Sequence, residues 1–417
     1  MERKRRRKLK YKNILLLVGV IVLIVVISKN IGKPKEEKEI ITADIVDSYV
    51  GKKLSDLEKV SKENGLTINK SYEYNREVSK DLIISTKLND KVIDVVISKG
   101  VPDDKLYQEK KVNELGKVPI MMYHGIIDTE EVTYTGGNVD KNGYNRKVSA
   151  FREDLEFYYK SGYRMIRLVD YIHGIIDVPV GLSPIILTFD DGDKNNFNVL
   201  GKNDDGTLKI DPNCAIGVLE EFKKKYPDFN VTATFFVMDG IFNQSQYNEE
   251  IVNWLVDHGY DVGNHTTIHP DFTTISTSKT QEVVGKMYQK LDKLLNDKYV
   301  KIIALPYGSP YKKDHANYPY ILKGNYDGYE YETEAALRVG WEPELSPFSK
   351  DFDKEFLKRC RAYDNNGKEF DIEMVFKNLE NNRYISDGDK NTIVIREKDK
   401  DKVSSSYTDV ITYKESV

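Results

Sequence analysis

Residues 184–192 read PIILTFDDG. The first six are apolar or β-branched with no polar face, which suits a strand covered on both sides, as strands of parallel sheets are. The run then breaks into Asp190, Asp191 and Gly192. Three other apolar runs end in the same way. Residues 118–122 (VPIMM) lead into Tyr123 and His124, and 260–263 (YDVG) lead into Asn264 and His265, with His269 four residues on. Residues 301–304 (KIIA) lead into Leu305, Pro306, Tyr307 and Gly308. A further strand is expected at 231–237 (VTATFFV), and helical patterns fill 149–159, 214–222, 247–258 and 280–295. Such alternation predicts an α/β fold with a parallel sheet, and over ~280 residues a (β/α) barrel is the economical closure. In that architecture the C-terminal strand ends share one mouth, so these polar residues, far apart in sequence, are expected to converge.

The chemistry follows from the residue types. Adjacent carboxylates after a buried strand point in different directions, so one can hold a metal while the other acts as a base. Taken alone, Asp-Asp-Gly reads as a loop start with a helix cap. Four-residue spacing lets His265 and His269 reach one ion. The β-branched residues between them and Pro270 after them favour a loop, not the helix of a zinc protease. Two histidines and one aspartate leave open positions, as in catalytic rather than structural metal sites. An ion held there polarises an acyl carbonyl and lowers the pKa of a water from ~15.7 to about 7.

The paired motifs 188–192 (TFDDG) and 265–269 (HTTIH), in this order, resemble the polysaccharide deacetylases of the NodB-like carbohydrate esterase family. The resemblance covers about 118–398 and implies a distorted (β/α) barrel. It implies Asp190 as general base and Asp191, His265 and His269 as ligands of a divalent metal, usually zinc. It also implies an oxyanion donor in the backbone at Tyr307, next to Pro306. Two departures stand out. The third motif reads Ala304-Leu305-Pro306-Tyr307-Gly308, without the arginine that braces the base, and no histidine follows His315 to act as a late general acid. Residues 120–125 (IMMYHG) resemble the opening of a permuted subgroup in which an early histidine supplies the acid, which implies His124. Trp341 is a candidate for stacking on a sugar, with a core position as the alternative. The activity implied is removal of N-acetyl groups from an N-acetylglucosamine-containing wall or surface polysaccharide, peptidoglycan favoured. The alternatives are an inactive wall-binding protein on the same fold and an O-acetyl esterase.

Before this domain, residues 41–100 carry a helical pattern ending near Gly65 and strand patterns at 81–86 and 91–97. Val50-Gly51, Asn64-Gly65-Leu66 and the closing 96–100 (VISKG) resemble a PASTA module, a small α+β domain implied to contact peptidoglycan or act as a spacer. Residues 14–27 are an unbroken apolar run behind a basic segment, so 14–29 is expected to be a transmembrane anchor with 1–13 in the cytoplasm. A cleaved secretory signal is the alternative, and both readings export the body. Residues 30–40 and 101–117 read as linkers, 118–398 as the large domain and 399–417 as a polar tail. The formal charge is -4, but the first twelve residues hold eight Lys or Arg and one Glu, so the remainder is near -11. That acidity argues against a nucleic-acid partner. Two cysteines exclude a disulfide scaffold. Cys214 reads as a buried thiol, with pairing to Cys360 as the alternative. Oligomeric state has no signal in the sequence.

Overall fold

The computed structural model describes residues 41–127 and 144–415. The expected anchor at 14–29 and linker at 30–40 lie outside the described residues, and among these no helix is long and apolar enough to cross a membrane. The chain divides into two compact units at Pro102.

In the first unit, helix α1 (Ala43–Asp47) and helix α2 (Leu54–Asn64) pack on strands β1 (Thr67–Glu73), β2 (Ile83–Asn89) and β3 (Val92–Ser98). Gly65 ends α2 in the left-handed region at φ 68°, where a residue without Cβ is favoured. The sheet order is β1-β3-β2, parallel on one side of β3 and antiparallel on the other. Ile93, Val95 and Ile97 alternate along β3 and meet Val46, Leu57 and Ile83 in a separate small core. β1 had no reading in the sequence because almost all of it faces solvent, leaving no apolar alternation.

The second unit begins earlier and ends later than the sequence suggests. The expected linker at 101–117 contains helix α3 (Asp104–Lys110), capped by Asp103, and the buried Val112 and Glu114. The expected polar tail contains β19 (Val410–Tyr413), which pairs in parallel with β18 (Ile393–Arg396). The Tyr413 ring packs on Tyr107 and its hydroxyl donates to the Val112 carbonyl at 2.7 Å. Both segments are too short and too charged to show a period, yet Tyr107, Val112, Val394 and Tyr413 bury one another.

Between those ends, β4 (Ile120–Tyr123), β5 (Gly125–Ile127), β6 (Asn145–Lys147), helix α4 (Val148–Lys160) and β7 (Tyr163–Met165) lead to helix α5 (Leu168–Ile172) and the central strand β8 (Ser183–Phe189). A hairpin of β9 (Val199–Lys202) and β10 (Leu208–Ile210) precedes helix α6 (Ala215–Lys225), β11 (Thr234–Val237), helix α7 (Asn248–Asp257), β12 (Asp261–Asn264), helix α8 (Thr277–Leu295) and β13 (Ile302–Ala304). Helix α9 (Tyr318–Leu322) and the hairpin of β14 (Lys323–Tyr326) and β15 (Tyr329–Glu332) are followed by β16 (Ala335–Leu337), β17 (Cys360–Arg361) and helix α10 (Ile372–Leu379).

The main sheet is parallel, in the order β16-β13-β12-β11-β8-β4-β17, with β7 also on β8. Every residue of β8 is buried, as its apolar run predicts. Helix α4 turns Phe151, Leu155 and Tyr158 inward on one stripe. The parallel sheet curls into a half-barrel, where the sequence led to a distorted (β/α) barrel. Its open side is crossed by one short stretch, residues 357–361. Leu357 bridges Leu337 of β16, while Cys360 and Arg361 pair with Met121 and Met122 of β4. Lys358 and Arg359 lie between these two attachments.

Candidate metal centre and active site

Side chains two residues apart on a strand share a face. Thr188 and Asp190 therefore point the same way from the end of β8. The Asp190 N–H still donates to the Tyr123 carbonyl of β4 at 3.0 Å, so the ladder holds up to that residue. Asp191 then turns into the left-handed region at φ 71°, which aims its carboxylate elsewhere. Gly192 follows at φ 63°, where a Cβ would press on Val237 at 3.0–3.2 Å. The adjacent carboxylates thus acquire separate surroundings.

Asp191 faces the histidines. Asn264, at the end of β12, donates to the Val284 carbonyl of α8 and accepts from the Thr266 N–H at 2.7 Å. Thr266 is held at φ 66°, an outlier for a β-branched residue, and its hydroxyl accepts from the His269 N–H at 3.0 Å. Strain at such positions costs of order 1–3 kcal/mol each and persists only where neighbours over-determine it. Here it folds the loop so that the His265 and His269 rings lie 4.9 Å apart. His265 Nδ1 sits 2.8 Å from the Ala304 carbonyl, which can only accept, so Nδ1 carries the proton and Nε2 keeps its lone pair.

Asp191 Oδ1 stands 3.2 Å from His265 Nε2 and 3.5 Å from His269 Nε2. The first distance is short enough for an ion pair, yet His265 Nε2 is fully buried and has no hydrogen bond of acceptable geometry. The three donor atoms lie within 4.8 Å of one another. Two ligands ~2.05 Å from a tetrahedral ion stand about 3.3 Å apart. The spacing and the orphaned nitrogen therefore fit a divalent cation held by Asp191, His265 and His269. Burial would raise the Asp191 pKa, but the neighbouring histidines outweigh it and hold the carboxyl below its usual range.

Asp190 meets a partner that the sequence did not reveal. Arg359 is fully buried and donates from Nη1 to Oδ1 at 2.7 Å and from Nη2 to Oδ2 at 2.6 Å. Its Nη1 also donates to Thr188 Oγ1 at 3.2 Å and its Nε to the Arg338 carbonyl at 3.2 Å. Burial alone would raise the Asp190 pKa, but Arg359 reverses this and holds the carboxyl well below the usual range. The brace absent from 304–308 therefore comes from the stretch that crosses the open side of the sheet. Residues 358–362 (KRCRA) carry no strand pattern, and the only clue in the sequence was the need for a cation beside a buried aspartate.

His124 lies at the end of β4, its Nε2 3.9 Å from Asp190 Oδ2. Burial lowers its pKa, with Asp190 and Asp191 opposing that shift. Its carbonyl accepts from Asn196 Nδ2, and Tyr144 packs edge-on against its ring at 5.1 Å. Tyr307, after β13, is held at φ 58°, with its ring 4.5 Å from that of His269 and Pro306 buried beside it. The Tyr307 N–H donates to no protein acceptor among the described residues. Trp341 does not join this group. The Arg361 guanidinium covers its ring at 4.1 Å, and Trp341 lines, with Lys117, Phe370 and Leu379, a cavity that contains no residue of the metal site. Its indole is 45% exposed, so the alternative core role does not hold either.

Residues 178–319 match the family model described as polysaccharide deacetylase. An uncharacterised 30.6 kDa protein of Geobacillus stearothermophilus is 31% identical over 124 residues, which is 30% of this chain and 38% of that protein. Among solved structures, the chain is similar to the Streptococcus pyogenes deacetylase PplD in complex with acetate, at 19% identity and a TM-score of 0.45, over 64% of this chain and 98% of that one. It is also similar to the putative polysaccharide deacetylase BA0330 of Bacillus anthracis, at 19% identity and a TM-score of 0.45, over 64% and 69% of the two chains. The polysaccharide deacetylase BC0361 of Bacillus cereus is similar at 20% identity and a TM-score of 0.44, over 63% and 68%. His124 and Arg359 fall outside the residues that match the polysaccharide deacetylase family model, whereas Asp190, Asp191, His265, His269 and Tyr307 fall inside them.

Proposed function

We propose that this protein is a metal-dependent hydrolase that removes N-acetyl groups from an N-acetylglucosamine-containing polysaccharide, with peptidoglycan the favoured substrate. The observation that carries the reading is the orphaned, buried Nε2 of His265, set between Asp191 and His269 at ligand spacing and beside a second, separately braced carboxylate. The cation, zinc by its donor set, supplies Lewis-acid polarisation of the acetyl carbonyl. Asp190 is kept ionised by Arg359 and accepts the proton of the attacking water through lone pairs that the guanidinium leaves free. The Tyr307 N–H donates to the oxyanion that develops on the acetyl carbonyl oxygen. His124, across from Asp190, delivers a proton to the leaving nitrogen. Acetate and a free amino sugar result.

The reading includes a membrane anchor at 14–29 that places the catalytic unit outside the cell, and a PASTA-like contact or spacer at 41–100. The inactive alternative drew on the missing arginine and the missing late histidine; Arg359 supplies a brace for the first, and the second rests on His124 as the acid. The test uses the full chain purified in detergent. Bound metal is quantified, and acetate is followed from peptidoglycan, N-acetylglucosamine oligomers and an O-acetylated glycan. Acetate from the N-acetylated substrates, abolished by Asp190→Asn with metal content unchanged, is the expected result. Release from the O-acetylated glycan alone would make the protein an esterase, and no release from any of them would leave a binding protein.

A further inference from the structure

A buried chain of charges and hydroxyls lies behind His124. Arg146 of β6 is 5% exposed. It donates from Nε and Nη2 to both Asp154 oxygens of α4 at 2.9 and 2.6 Å, and from Nη1 and Nη2 to Asp364, just after β17, at 2.5 and 3.1 Å. Asp154 Oδ2 also accepts from the Tyr123 hydroxyl at 3.0 Å, and that hydroxyl is 2.9 Å from the Tyr158 hydroxyl. Tyr123 is the residue immediately before His124.

The residue after His124 is tied to the same place. Gly125 opens β5, which pairs in parallel with β6, and its N–H donates to the Tyr144 carbonyl at 3.1 Å. A Cβ on Gly125 would strike Asn145 Oδ1 at 2.6 Å, so the Asn145 side chain packs directly on Gly125. His124 is thus clamped on both sides by 144–146, and the only member of that segment with a buried charge is Arg146. Through Asp364, the same guanidinium reaches the segment that follows the Arg359 strand. A buried ion pair such as Arg146–Asp154 is weak evidence of stabilisation, because desolvation offsets its attraction.

We infer that Arg146 is a positioning residue for the acid step, setting His124 at its 3.9 Å separation from Asp190 through Tyr123 and β5. This rests on the reading of His124 as the general acid. Protonation of the leaving group matters for an amide and hardly at all for an activated aryl ester, whose phenolate leaves unaided. Loss of the clamp should therefore lower kcat on N-acetyl substrates with KM, metal content and aryl acetate turnover unchanged.

The experiment compares the full chain with Arg146→Gln, Arg146→Lys, Tyr123→Phe and His124→Ala on N-acetylglucosamine oligomers and on an aryl acetate, with pH profiles of kcat. For Arg146→Gln the amide-to-ester ratio should fall on the order of 10²-fold, the scale of an ångström-level misplacement. Lysine cannot fork to two carboxylates, so Arg146→Lys should rescue little. Tyr123→Phe removes only the hydroxyl link and keeps the fold if the arginine variants do not; its ratio should fall roughly tenfold, within the range for second-layer partners. If His124→Ala keeps full amide turnover, the acid assignment fails and this inference with it. If His124→Ala loses amide turnover selectively while Tyr123→Phe and the folded arginine variants keep the wild-type ratio and pH profile, the acid assignment stands and the role given to Arg146 is overturned.

Discussion

Arg359 and Asp190 meet through two parallel hydrogen bonds, 2.7 and 2.6 Å long, where 357–361 crosses the open side of the sheet. One contact thus joins the proposed base to the segment that bridges the outer strands. Removing one member of a buried ion pair costs about 3–5 kcal/mol, because the other charge stays buried. Arg359→Met should therefore lower the denaturation midpoint and abolish acetate release, since burial then drives Asp190 to take up a proton. Metal content, which depends on other residues, should persist in the folded fraction. A variant that stays active would show that the brace is not needed.

Ligand loss should look different. Asp191→Ala and His265→Ala each remove one of three donors, and both should bind substoichiometric zinc by elemental analysis while remaining folded. His265→Gln should also fail, because its amide cannot reproduce an imidazole anchored through Nδ1 to the Ala304 carbonyl. Wild-type zinc content in either alanine variant would displace the site.

Glu114 supplies a pH test far from the metal. Its buried carboxylate accepts from the N–H groups of Val394 and Asp387 and from the Tyr384 hydroxyl. Burial, aided by Asp387, nevertheless raises its pKa well above 4.5. A raised folded-state pKa means that the folded protein binds the proton more tightly than the unfolded chain. The associated stability is complete below about pH 4.5 and is lost as pH rises through the folded value. Glu114→Gln should flatten that decline in urea midpoints, and Glu114→Ala should cost about 1–3 kcal/mol by leaving buried donors unpaired. Parallel pH curves for wild type and Glu114→Gln would contradict the assignment.

The cysteines should be inert. Cys214 and Cys360 are both free and buried. Burial pushes the Cys214 thiol up to about 11 and that of Cys360 higher still. The pairing left open by the sequence is therefore replaced by two separate core thiols. Maleimide labelling should stay at zero in the native protein and reach two per chain in denaturant without reductant. Labelling of only one site after unfolding would mean that the other thiol is blocked.

Much of the architecture was legible in local pattern. Apolar runs without a polar face located β4, β8 and β11, and the amphipathic period located α4, α7 and α8, because long buried elements repeat their signal along the chain. Short elements did not. β1, α3, β17 and β19 each expose most of their residues or span too few to show a period, so a strand, a supposed linker, the bridging strand and a supposed tail went unrecognised.

The candidate metal ligands and the proposed base were legible in the sequence, because Asp190, Asp191 and His265 stand at or just after strand ends, where chain connectivity delivers them. His269 needed in addition the four-residue spacing and the loop that Thr266 folds. What braces Asp190 and what steadies His124 were decided by tertiary structure. Arg359 lies 169 residues from its carboxylate and Arg146 lies 218 from Asp364. A guanidinium can meet a carboxylate from any point in a chain, and only the curl of the sheet, with 357–361 crossing its open side, selects which arginine does so.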